Sequence, residues 1–123
     1  MAYRENEQSI SLLAAADLSG DQFSFVTIDA TGKAAKVSVA GAAAQGVLEN
    51  TPKADEAANV NIGGVVQATA GAGVTAGDDV ASDANGKAVT ATTGDVILGK
   101  ATTTASGAGT VFSMLFNPRG DAA

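Results

Sequence analysis

Few side chains in this sequence stand in a pattern suited to binding or catalysis. Gly94-Asp-Val-Ile-Leu-Gly99-Lys100 fits G-x-x-x-x-G-K, the frame of a loop that cradles nucleotide phosphates. That chemistry also needs a Ser or Thr after the lysine to hold magnesium, a flexible loop between the glycines and a helix behind them. Ala101 follows the lysine, Val96-Ile97-Leu98 reads as a buried strand, and the "TTTASGAGT" beyond is a poor helix former. A second cluster, "GDDVASDANG" (77–86), offers Asp78, Asp79, Asp83 and Asn85 as oxygen ligands for calcium. Only the fragment Asp83-Ala-Asn85-Gly86 fits the calcium-loop pattern, and no glutamate closes it. The chain has no His and no Cys, which removes the usual general base, the thiol nucleophile, thiolate metal sites and disulfides. Its carboxylates lie scattered over turns, without the pairing that acid–base hydrolysis uses. The reading is therefore of a non-enzyme, with no catalytic residue, no cofactor and no metal.

The elements that would carry such residues are short. Fifteen glycines punctuate 123 residues, and between them lie runs rich in Val, Ile, Thr and Phe: 22–28, 35–40, 59–62, 64–69, 95–101 and 110–116. Short β-prone runs separated by turn residues every ten or so positions read as an all-β protein. Helices are expected to be at most two and short, at "LLAAAD" (12–17) and "PKADEAAN" (52–59). The run "VFSMLF" is apolar on both faces and belongs in the core or at a subunit seam, with Phe112 and Phe116 as its bulky anchors.

A repeat organises these runs. Gly20-Asp21 leads through a strand-like run to Gly32-Lys33-Ala34, and Gly77-Asp78 leads likewise to Gly86-Lys87-Ala88. The spacing between copies is 57 residues at the first landmark and 54 at the second, so the later copy is three residues shorter. "DATGKA" and "DANGKA" then read as hairpin turns, with glycine supplying a positive φ and both lysines facing solvent. The fold class is thus a small β-barrel or β-sandwich of two related hairpin units, about 18–70 and 74–118. These make one domain, 10–118, between an extended N-terminal arm at 1–9 and a tail at 119–123.

Composition narrows the partners. The chain is 46% hydrophobic but only 4% aromatic, so small side chains build its core, and burial against a partner would help it. A net charge of −6 with seven dispersed basic residues argues against nucleic acid. No window has the ~20 apolar residues of a membrane span. The N-terminus lacks the basic start and long apolar run of a signal peptide, so a soluble protein made in the cytoplasm is expected. The polar arm, with Tyr3, Arg4, Glu5 and Glu7, has the anchors that interfaces favour. Arg119-Gly120-Asp121 matches an integrin-binding tripeptide, read here as ordinary tail.

With its duplicated hairpin, its central segment "GVLENTPKADEAANVNIGGVVQA" (46–68) and its closing "ILGKATTTASGAGTVFSMLFNP" (97–118), the chain resembles the head decoration, or capsid cement, proteins of tailed bacteriophages. The longer first hairpin and the polar arm depart from that pattern. The resemblance implies a β-barrel-like structural virion protein on the outer surface of the capsid. It would bridge and stabilise major capsid protein subunits as a homo-oligomer, a trimer foremost and a dimer otherwise. On that reading Tyr3, Arg4, Glu5, Glu7, Phe112 and Phe116 are the capsid or subunit contacts. A carbohydrate-binding or adhesive β-module displayed on a larger particle is the alternative, although sugar platforms need aromatic residues that this chain scarcely has.

Overall fold

A computed structural model describes residues 5–121 of the chain, and side chains from Gln8 to Pro118. Alternating small apolar and polar residues between glycine turns fold as one curled antiparallel sheet, a half-barrel of nine strands with no helix among the described residues. These are β1 (Glu5–Leu13), β2 (Phe25–Ile28), β3 (Ala34–Lys36), β4 (Gly46–Leu48), β5 (Ala57–Thr69), β6 (Asp79–Ser82), β7 (Ala88–Thr90), β8 (Val96–Ala101) and β9 (Val111–Asp121). Spatially they run β3-β2-β4-β5-β9-β8-β6-β7, with β1 on β5. The order reads as two four-strand halves, β2–β5 and β6–β9, meeting at β5 and β9.

The duplication is visible in the register. Val26 faces Lys36 and Ile28 faces Ala34 in the first hairpin; Val80 faces Thr90 and Ser82 faces Ala88 in the second, each position moved by 54. Phe25 opposite Val47 has its twin in Asp79 opposite Lys100. Strand β1 joins the pattern as well. Leu13 faces Ala57 and Ile10 faces Val60, just as Thr69 faces Val111 and Val66 faces Met114. The long strand β5 therefore closes the first unit and opens the second.

The hairpin turns follow from their sequences. In each, the aspartate amide donates to the lysine carbonyl, and the aspartate Oδ1 accepts from the lysine amide and from the residue two positions on (Thr31 or Asn85). Gly32 and Gly86 close them with φ of +81° and +74°, the left-handed step that only glycine makes cheaply.

Neither short helical candidate is a helix, within the expectation of at most two. Leu12 and Leu13 belong to β1, and Pro52–Glu56 forms a turn in which Asp55 takes φ +64° and its amide bonds back to the Ala14 carbonyl. Six to eight residues cannot gain enough internal hydrogen bonding to offset helix nucleation, whereas strand partners were at hand. Strand β1 runs from Glu5 across Ser9 to Leu13, and β9 runs from Val111 through Asp121. Near Pro118, which has no amide to donate, the β8–β9 ladder slips between Ile97 and Gly99.

The main core lies between the halves. Phe25, Val37 and Val47 of the first unit pack on Val66, Leu98, Phe112, Met114 and Phe116, and the rings of Phe25 and Phe116 sit 6.3 Å apart. Polar contacts lock the same seam. The Phe25 amide donates to the Gly86 carbonyl at 2.7 Å and the Gly41 amide to the Ser82 carbonyl at 2.8 Å. A smaller cluster, Ala14, Leu18, Val26, Ala34, Leu48, Ala58 and Val60, sits under β1.

Candidate functional site

The groups singled out for chemistry are occupied in holding the sheet. Gly99 and Lys100 lie within β8, a strand paired on both sides, and a side chain at Gly99 would run into the Leu115 backbone. Gly46, in the corresponding strand of the first unit, crosses Asn61 of β5 as closely. Both glycines permit close approach of backbones, and neither forms a phosphate loop. Lys100 Nζ pairs with Asp79 Oδ1 at 3.5 Å. Asp78 Oδ2 accepts from the Thr75 amide and the Thr90 hydroxyl, and Asp83 is the turn aspartate. No group of three or more metal-ligating side chains and no ligand-sized pocket occurs among the described residues.

The two turn lysines behave differently. Lys33 reaches Asp55 at 2.7 Å near the surface, and that carboxylate raises its pKa. Lys87, expected to face solvent, instead crosses to the first unit. Its Nζ donates to the buried Ser24 hydroxyl at 2.6 Å and stands 3.8 Å from Asp21, which also pairs with Lys36. The reason is curvature, since the half-barrel brings the second hairpin against β2. The Asp29 carboxylate is held below its ordinary pKa, chiefly by the Thr31 hydroxyl and then by the Lys33 amide.

What remains is surface. Phe112 and Phe116 are almost wholly buried inside the chain, in the first of the two places open to them. Tyr3 and Arg4 lie outside the described residues, and Glu5 and Glu7 are placed only as backbone in β1. Large apolar side chains left exposed are Ile10, Leu13, Ile28, Val39, Ile62 and Leu115. Three of them, Ile10, Leu13 and Ile62, sit on β1 and on the stretch of β5 beside it. Sequence reasoning missed this strip because it read β1 as arm and helix. The alternation Gln8-Ser9-Ile10-Ser11-Leu12 was the available signal.

Among the described residues, the two fused units leave Ile10, Leu13 and Ile62 partly uncovered at one end, and exposed apolar patches are a common feature of protein contacts. Comparison with known proteins agrees. The family model described as phage cement protein matches residues 7–116. The chain belongs to the phage cement protein family. No curated protein matches it. Among solved structures, it is similar to the N base of the head fiber gp8.5 of bacteriophage phi29, with a TM-score of 0.74 at 15% identity, covering 95% of this chain and 98% of that one. At that identity the likeness speaks to the fold. The family makes this cement protein a structural phage capsid protein of the virion.

Proposed function

We propose that the protein binds the outer surface of a phage capsid and stabilises it, without catalysis, by bridging neighbouring major capsid protein subunits as a homo-oligomer, a trimer foremost. The family match over residues 7–116 carries this reading. The fold is compatible with it: at Gly46 and Gly99 the strands approach closely enough to exclude a side chain, which packs the sheet tightly. An acidic net charge keeps the free protein soluble before it docks.

On this reading Tyr3 and Arg4, with Glu5 and Glu7 at the start of β1, contact the shell. Phe112 and Phe116 serve it indirectly, by fixing the core that presents the arm. The test is the temperature at which cognate heads lacking this protein release their contents, with and without added protein. A rise is expected with the wild type and a much smaller rise with Tyr3→Ala/Arg4→Ala. An unchanged release temperature with the wild type would refute stabilisation, and an unimpaired double variant would remove the arm from the interface.

A further inference from the structure

The internal duplication shows which surfaces are covered in one unit and not in the other, because the paired strand positions of one unit have twins in the other whose fates can be compared. In the second unit, Val66 and Phe116 are buried, under Phe25, Val37 and Val47 of the first. Their twins in the first unit are Ile10 and Ile62, which remain 36% and 38% exposed, with the half-buried Leu12 beside them as twin of Ala68. No earlier unit exists among the described residues to cover them. Yet these positions carry bulky aliphatic side chains, where a free surface would favour polar ones.

The opposite end has been treated otherwise. The covering pair Phe25·Val47 has as its twin Asp79·Lys100, an ion pair. Stacked-repeat proteins cap a free end with polar residues in this way. The second unit therefore cannot repeat what the first does, and copies cannot add head to tail without limit. One end is capped and the other is left apolar.

The edge of β1 tells the same story. The path of the sheet ends in β3 and β7, each only three residues long, which is one way sheets protect an edge. Strand β1 has nine residues and pairs with β5 alone among the described strands. From Gln8 to Leu13 it carries neither charge nor proline. Both its edge and its apolar side chains lack a cover that their twins in β5 possess.

We propose that β1, with Ile10, Leu12 and Ile62, is a seam between copies of this chain, closed about a symmetry axis. This rests on the oligomeric part of the reading above and is independent of where the shell is gripped. A second copy is the occupant because the twin surface, at Val66 and Phe116, is already covered by a unit of this same kind. The charged Asp79·Lys100 pair excludes the far end of a second copy from that role. The contact therefore brings β1 ends together about one axis, three-fold or two-fold, and does not set a β1 end against the far end of the next copy.

The experiment is light scattering after size exclusion, on the full chain without heads, for the wild type, Ile10→Asp, Ile62→Asp and Val39→Asp. Val39 is the most exposed large aliphatic, 64% accessible, and lies away from β1. The wild type and Val39→Asp should elute as one defined oligomer. Ile10→Asp and Ile62→Asp should fall to single-chain mass, with association weakened about 100-fold or more because each contact would bury an unpaired carboxylate. Circular dichroism and a cooperative thermal transition check that each variant is folded. Should Ile10→Asp fail that check, Ile62→Asp decides alone. A monomeric wild type overturns the proposal, as does an oligomer that survives both substitutions. Loss of head binding at unchanged oligomeric mass also overturns it, by assigning the strip to the shell. Failure of the wild type to bind heads would leave the seam result intact.

Discussion

Replacing Phe116 by alanine tests whether the seam between the two units holds the cement protein together. Phe116 is 2% exposed, stacks obliquely on Phe25 at 6.3 Å and lies at the middle of the main cluster. Truncating a fully buried phenylalanine costs about 3–5 kcal/mol, part lost transfer energy and part the cavity left where neighbours cannot close in. Closure is poor here, because the ring is bounded by strands of both units that are pinned to each other by backbone hydrogen bonds. A chain of this length unfolds with an entropy near 0.26 kcal/mol/K, so the loss corresponds to about 12–20 °C in Tm. The neighbouring Leu115, on the other face of β9 and 42% exposed, provides the reference. Leu115→Ala should cost only about 1 kcal/mol, since much of its side chain already meets water. Urea unfolding of both variants, below the concentration of any association, gives the two values side by side. Equal losses, or a Phe116→Ala loss below about 1.5 kcal/mol, would refute the claim that this ring joins the units.

Gly99→Ala and Gly46→Ala should each destabilise by about 1–3 kcal/mol, because the added methyl meets backbone that cannot rotate away. An alanine tolerated at both positions in thermal unfolding would show that β8 and β4 do not cross their neighbours so closely. The first hairpin should weaken in acid. Asp29 has a lowered folded pKa, so its contribution is present above the unfolded value near ~3.9 and disappears as pH falls through the lower folded value. Lys33, raised by Asp55, behaves oppositely and loses its contribution only as pH climbs past the ordinary lysine range. Carboxyl NMR should place the Asp29 midpoint below ~3.9, and a midpoint at or above that value would contradict the turn geometry.

Much of the fold was legible because duplication repeats local signals. The two G-K-A corners announced their hairpins through an aspartate, a glycine and the strands around them. The strands read at 59–62 and 64–69 proved to be one, since Gly64 turns to φ +84° and carries β5 onward where a break was expected. What stayed hidden depended on curvature. Lys87 looks like any surface lysine until the barrel delivers Ser24 and Asp21 to it. Strand β1 escaped because its apolar residues are sparse and its register against β5 is a long-range fact. The strip at Ile10 and Ile62 became meaningful only beside its buried twins, a comparison that needs coordinates.

On the proposed function, this cement protein grips an assembled shell. Co-sedimentation of increasing amounts of purified protein with cognate heads that lack it measures this directly. Binding should saturate at a fixed number of copies per head, set by the symmetry of the shell, and free capsid protein should not compete. Uptake that grows without a plateau, or no uptake at all, would contradict the account.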